Sequence, residues 1–512
     1  MNHPGDTPNG PGTNRPGAMV IDERLFDVLI IGSGAGGGTL AGALAAAGRK
    51  VLLLEQGSVL PLGDQNVADI TLFRRQRYHP DQEWIGTDGD PFAPQMVEAL
   101  GGNTKIWGGV LERMLPQEFV GMPMQEGTGP DWGLRYEDLE PWYAQAEQLY
   151  RVHGEDGQPF GAQPVQPFQV ELRAALERQG LHPYRLPLSV SESPEDPSGD
   201  AERFGVDRAL GQEGFELRQG ARVLMLHTDG GGSEVRGVET QIGHQRWLFR
   251  AHQVVLAAGA IGSAVILLRS ASDLHPQGLA NGSDLVGRHL MRPQLTAMLQ
   301  RATRAHSGRY GPALGVLDFH GGDRNVSYAL GAVRGGGGVL QDPLFAESPP
   351  VLSLVSRLLP DGALEWLADR SVSWWVSSAV SPDPENRVSL RGERVVINYL
   401  PNNREAHDRL VYRWLDVMQR VENDPDTTVV KRAPIYPRGE APLSVMGFSC
   451  GTCPMGSDPV TSVVSLEGRC HQVANLWIAD ASVFPGCPAV GPGLTVVANA
   501  LRIGEAIGRV LG

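Results

Sequence analysis

From Phe26 the chain passes from scattered polar residues to unbroken apolar blocks separated by small ones. "FDVLIIG" is a continuous apolar run, "GSGAGGG" a turn, "TLAGALAAAG" a small-residue helix and "KVLLLE" a second apolar run. Short runs with no polar alternation are the pattern of strands covered on both faces, so these blocks predict a βαβ unit. "HQVVLAAGAIGS" (252–263) and "NLWIADASVFP" (475–485) repeat the theme, each ending near Gly or Asp, and the three segments are expected in one sheet. Between them the pattern changes. "EDLEPWYAQAEQLYRV" (137–152) reads as a helix, and "DPENRVSLRGERVVINY" (383–399) as two alternating strands turning at Gly392. The most apolar long stretch, 349–380, reads as core and strand; a lid, a dimer contact and a membrane-surface helix are the other readings. Residues 1–23, rich in Pro, Gly and Asn with little to bury, are expected to be a disordered tail.

Composition narrows the function classes. With 512 residues and 41% hydrophobic content there is material for more than one core. A net charge of -14 gives no general attraction to nucleic acid or anionic lipid. No apolar run approaches the roughly eighteen residues of a membrane span and no leader-like apolar region opens the chain, so it is read as cytoplasmic. Four cysteines are too few for a disulfide scaffold and fit a reducing compartment.

Gly32, Gly34 and Gly37 form G-x-G-x-x-G between the first strand and the first helix, the context that makes the motif informative. Gly32 allows the turn, Gly34 lets a pyrophosphate approach the backbone, and Gly37 lets helix and strand close up. The helix N-terminus, with about half a positive charge and free N–H groups, then faces the pyrophosphate. Glu55 closes the second strand, where a carboxylate accepts from a ribose and repels a 2'-phosphate. FAD or NAD is therefore favoured over NADP. In "EALGGNTKIWGGVL" (98–111), Gly101, Gly102, Gly108 and Gly109 let a loop pass close to a large planar cofactor.

These stretches, with "QVVLAAGAIGSAVILLRS", "SDLVGRHLM", "PENRVSL" and the segment from "GTCPMGSDP" to "AVGPGLTVVANALRIGEAI", resemble the glucose–methanol–choline (GMC) oxidoreductases, nearest the bacterial sugar, polyol and aminoglycoside branch. The resemblance covers the chain from about Phe26 to its end. It implies an α/β fold: a Rossmann-like FAD-binding domain (24–115, 203–300 and 441–512) with an inserted α+β substrate domain on an antiparallel sheet (116–202 and 301–440). It implies FAD as cofactor and a small-molecule alcohol as substrate and assigns no electron acceptor; some bacterial relatives pass electrons to a partner subunit, which makes 349–380 a candidate contact for one. On matching positions it places Val223 at the adenine, Ala258 and Gly259 beside the adenosine ribose, and Asn103 and Thr104 at the pyrophosphate and flavin, with Trp107 in the same loop. Asp480 falls on the ribityl or phosphate side, and the last helix, opening near Pro492 and Leu494, points at the flavin. Some relatives attach FAD to a histidine immediately before the loop Trp; here that residue is Ile106, so non-covalent FAD is expected.

The resemblance fails where the family does its chemistry. The family's His-x-x-Gly-Thr is aligned by Gly451 and Thr452, and the histidine position holds Phe448. The partner position before the last helix holds Gly491. Loss of the pair should suppress ordinary alcohol oxidation unless another group substitutes, and His79, His289 and His471 are the histidines nearest cofactor-like motifs. Two further readings remain: different redox chemistry on a less polar substrate, or an FAD-binding protein without turnover. In the C-x-x-C at Cys450 and Cys453, the following Pro454, Gly456 and Pro459 argue against a redox helix, and Cys470 and Cys487 are spaced too singly for zinc. Cys450, two residues after Phe448, is expected on the same face, lining the substrate cavity, or else as a packed thiol.

Overall fold

The computed structural model describes residues 19–60, 80, 82–155, 160–161, 166–189, 199–306, 313–339 and 360–512. The βαβ unit forms as its pattern predicts. Val20–Ile31 and Val51–Leu54 pair in parallel, joined by the helix Ala35–Ala46. Gln245–Leu256 lies parallel along the other side of Val20–Ile31, and Leu476–Ile478 pairs with its far edge. Ile30, Val255 and Trp477 thus stand in one row, so the three distant apolar segments share a sheet. They are apolar throughout because both faces are covered, one of them by Ala35–Ala46 and the last helix, Gly493–Leu511, which pack on each other. Phe215–Arg218 extends the parallel part, while Ala221–Thr228 and Val235–Ile242 add an antiparallel ribbon on the N-terminal half of Gln245–Leu256.

The second sheet is antiparallel, in the order Arg438–Glu440, Gln294–Arg301, Ser371–Ser378, Ala332–Gly338, Leu314–Val316, Tyr184–Arg185. The helix Arg404–Asn423 covers one face, burying Leu410, Trp414, Val417 and Met418 against it. Trp374 of the sheet meets Trp414 edge-on with ring centres 4.7 Å apart. A hairpin, Arg387–Arg391 and Arg394–Asn398, turns at Gly392 (φ 60°) and joins Trp84–Ile85 and Pro91–Phe92 in a third sheet. The expected helix is present as Tyr136–Leu149.

Three expectations change. The first strand begins at Val20, not Phe26: Val20 and Ile21 pair with Trp247 and Leu248, so the tail expected to reach residue 23 is too long. Ladder bonds come from the backbone, so a polar sequence carries no signal of them. Residues 1–18 lie outside the described residues. Gln294–Arg301, expected with the cofactor domain by a boundary at 300, is second in the antiparallel sheet, its burial alternating with period two as in a strand with one covered face. Of the apolar stretch 349–380, residues 349–359 lie outside the described residues; the rest forms the helix Asp361–Ala368, with Trp366 half exposed, and the buried strand Ser371–Ser378. Among the described residues no helix is long and apolar enough to cross a membrane.

Candidate active site

A cavity of about 1250 Å³ runs from the glycine turn after the first strand to the antiparallel sheet. At the first end Gly32 sits at φ 98°, where an added Cβ would stand 2.5 Å from the Ala257 carbonyl oxygen. Gly34 lines the cavity and a Cβ there would meet nothing nearer than 4.0 Å, so the turn leaves open the space a pyrophosphate needs. Gly37 lies behind the lining, its Cβ position 1.9 Å from the Gly32 carbonyl oxygen, as a packing glycine should. The tightest contact in the turn is at Gly36, where a Cβ would fall 1.7 Å from the Ala479 carbonyl oxygen. That constraint comes from the residue just past the strand Leu476–Ile478, more than four hundred positions away, and has no signal in the motif.

Glu55 is buried, and burial raises its pKa. Its carboxylate accepts from Ser33 N–H (3.0 Å), Ser33 Oγ (2.6 Å) and Gly57 N–H (2.8 Å). Two oxygens offer about four acceptor directions, so capacity remains for a ribose hydroxyl. Ser33 Oγ also accepts from Gly101 N–H at 3.0 Å, tying the turn, the second strand and the loop 101–109 together. Sequence reasoning passed over Ser33, an unassigned position within the motif. Asp480 is likewise buried with its pKa raised by burial; it accepts from Gly259 N–H (2.9 Å), Ser263 Oγ (2.5 Å) and Ser482 N–H (2.9 Å). Val223, Ala258 and Gly259 line the same end.

The loop is pinned from behind. Lys105, 1% exposed, donates from Nζ to Asp200 at 2.8 Å and to Glu202. Thr104 Oγ1 donates to the Gly101 carbonyl at 2.7 Å and accepts from Ala201 N–H at 2.9 Å. Asn103 Oδ1 accepts from Val97 N–H at 2.8 Å, and Trp107 Nε1 donates to the Gly199 carbonyl at 3.1 Å. Gly102, Asn103, Thr104, Trp107 and Gly108 line the cavity, whereas Gly101 (φ 90°) shapes the loop from outside it. The last helix enters with Pro492 immediately before its first residue, Gly493. Both line the cavity, so the free N–H groups of its first turn face it; Leu494 points into the core instead.

Phe448 and Gly491 line the cavity as well, so these two residues share a space with the glycine turn. An added Cβ at Gly491 would find nothing within 4 Å. Cys450 is not in the lining. Phe448 lies in a turn rather than a strand, so strand alternation does not carry its direction to Cys450, which pairs with Met291 in a single bridge and is 0% exposed. Nor do Cys450 and Cys453 work as a pair: the neighbour of the Cys450 thiol is Cys487, while burial pushes Cys453 up to about 12. All four cysteines are free and buried.

The described residues of the lining include no histidine. His289 stands at φ 58° away from it, with its pKa lowered by burial, and His471 pairs with Ser462 Oγ at 2.9 Å. His79 lies outside the described residues. Instead Arg334 reaches the cavity from the antiparallel sheet, bonded to the buried carboxylate of Glu112, which also accepts from Tyr184 Oη. Burial works against the guanidinium's charge, but Glu112 beside it holds the pKa above its ordinary value. No sequence pattern singles out Arg334, because its partners, Glu112, Ser377 and Ala489, come from three separate segments.

Comparison with known proteins bears on family and fold. Residues 382–500 match the GMC oxidoreductase family. The chain is 28% identical over 542 residues to 6'''-hydroxyparomomycin C oxidase of Streptomyces lividus, across 95% of this chain and 92% of that one. It is 27% identical over 557 residues to 2-methyl-1,2-propanediol dehydrogenase of Mycolicibacterium austroafricanum, across 96% of each. Among solved structures, pyridoxine 4-oxidase from Mesorbium loti aligns with a TM-score of 0.70 over 94% of this chain and 99% of that one, at 19% identity, a likeness of fold.

Proposed function

The chain belongs to the GMC oxidoreductases and is an FAD-dependent oxidoreductase, and from that premise we propose that it oxidises a CH–OH group of a sugar, polyol or related alcohol in a site without the usual His and Asn pair. What supports the reading is the single cavity that joins the Gly32–Gly37 turn and Glu55 to Phe448 and Gly491. Bound FAD supplies the hydride acceptor, flavin N5. Around it, the turn and the first helix would hold the pyrophosphate, Glu55 the ribose, and the N-terminal turn of the last helix would offer its N–H groups to negative charge on the reduced ring. With Ile106 before Trp107, the FAD is held without a covalent bond and is released by denaturation. In this reading the substrate domain includes Gln294–Arg301 besides 116–202 and 301–440, and four reduced, buried cysteines support a cytoplasmic site of action.

A second reading, different redox chemistry on a less polar substrate, is favoured by one observation: the described lining near Phe448 is largely apolar and brings no histidine. An apolar site cannot reward a hydroxyl that it never hydrogen-bonds. One anaerobic experiment separates the two. Holoenzyme is mixed with alcohols, sugars and polyols while the flavin absorbance is followed; bleaching supports the first reading, and a yellow protein that none of them bleaches removes it. Phe448→His with Gly491→Asn should raise the rate of bleaching by about a hundredfold or more, the usual worth of a general base.

A further inference from the structure

We infer that the substrate carries, beyond its CH–OH group, an uncharged apolar ring that lies against the indole of Trp375, an inference resting on the alcohol-oxidation reading above. The strand Ser371–Ser378 turns its side chains alternately to the two faces of the antiparallel sheet. Trp374, 1% exposed, meets Trp414 of the covering helix, and Val372 and Val376 belong to the same core. Trp375 therefore stands on the opposite face, where it is half-buried and lines the cavity. Its indole N–H has no hydrogen-bond partner among the described residues, and its ring meets no other ring there. Its neighbours on that face are short: Ala297 is its partner across the ladder, Gly439 lies beyond Ala297, and Ser373 and Ser377 flank it along its own strand. Leu295 and Leu299, opposite those two serines, add apolar surface to the same cavity wall.

The length of the substrate follows from one bond. Ser377 Oγ donates to the Ala489 carbonyl at 2.6 Å, which fixes that end of the wall two residues from Gly491. Trp375 lies two residues back along the strand, roughly 7 Å from Ser377 at about 3.4 Å per residue. A CH–OH group placed by Phe448 and Gly491 is thus carried by a molecule that reaches about one ring further, which a small polyol does not. The polarity of that ring follows from what the wall offers it. Arg334 and Glu112 pair with each other, while Glu440 turns to Arg404 and Arg438 to the Tyr412 ring, both on the covering helix. Ser373 Oγ is taken by the Gly337 carbonyl and Ser377 Oγ by Ala489. A charged or many-hydroxyl ring would lose water here and find few partners, whereas an apolar ring gains both burial and a face-to-ring contact.

The test uses 1-methyl-4-phenylcyclohexanol and 1-methylcyclohexanol, tertiary alcohols with no carbinol hydrogen to give, so that binding to the oxidised holoenzyme is read by calorimetry without turnover. The phenyl compound should bind about ten- to a hundredfold more tightly. Trp375→Ala should cut that preference by about tenfold while FAD is retained. 4-Amino-1-methylcyclohexanol, with an ammonium in place of the phenyl ring, should bind more weakly than the phenyl compound. Should Trp375→Ala fold poorly, the parent protein still decides: the phenyl compound with a diazirine on its ring should, on irradiation, label Ser371–Ser378 or Gln294–Arg301. Equal binding of the first two alcohols, as when another part of the chain fills this face, overturns the inference. So does a preference left intact in Trp375→Ala, tighter binding of the ammonium compound, or label confined to other segments. If the preference is present and lost as expected but no CH–OH compound bleaches the flavin, the ring site stands and only the alcohol-oxidation reading falls.

Discussion

One added methyl group should be received in opposite ways at two glycines of the same cavity wall. At Gly36 it would stand 1.7 Å from the Ala479 carbonyl oxygen, so Gly36→Ala must push the first helix away from the sheet. That should cost at least about 1–3 kcal/mol and empty the FAD site, seen in the urea midpoint and the flavin-to-protein absorbance ratio. Gly491→Ala, with nothing within 4 Å of the new atom, should leave both readings within about 0.5 kcal/mol of the parent. A third residue sets a pH dependence. His407, 1% exposed, lies between Thr296 Oγ1 at 2.8 Å and Ser378 Oγ at 3.0 Å, and burial lowers its pKa to about 4. The unfolded chain takes up that proton near pH 6.5 and the folded one only near 4, so stability is lost as pH falls through this window. Going from about pH 7 to about pH 5 should cost about 2 kcal/mol through this group alone, and His407→Gln should remove that part of the loss in paired urea titrations.

The loop 101–109 depends on one buried cation. Lys105 holds it to Asp200 and Glu202, and Glu202's pKa is raised chiefly by burial, so the cluster has little water to fall back on. Lys105→Met leaves two carboxylates facing each other in the interior. Breaking a buried pair from one side costs about 3–5 kcal/mol, and the loss should appear first as FAD released on gel filtration. The affected loop carries Asn103, Thr104 and Trp107 into the cavity, so cofactor affinity should fall before global unfolding does.

The cavity collects residues from both ends of the chain, from Gly32 to Gly493, and from two sheets. Occupying it joins these parts, so FAD stabilises the folded state in proportion to its binding. Stripping FAD should lower the thermal midpoint, and free FAD at about a hundred times its dissociation constant should restore about 2.7 kcal/mol. A midpoint indifferent to FAD would mean that the folded protein does not bind it. The sheets meet through specific bonds rather than area alone: Ser377 and Arg334 of the antiparallel sheet both donate to Ala489, just before the last helix.

By itself the sequence determined the βαβ unit, the partnership of its three apolar segments, the hairpin at Gly392 and the glycine turn with its strand-end acid. These rest on local rules: apolar runs where both sheet faces are covered, glycines where a turn demands them, an acid at a strand end. It also pointed to Phe448 and Gly491, because neighbouring motif residues set the register of the resemblance, and both line the cavity. Tertiary structure alone decided the rest. Ser33 bonds to Glu55 and Gly101, Gly36 meets Ala479, and Cys450 neighbours Cys487 rather than Cys453. Arg334 draws its partners from residues 112, 377 and 489. Spacing along the chain carries no trace of such contacts, because they are set by which strands pair and which side chains a cavity brings within 3 or 4 Å of one another.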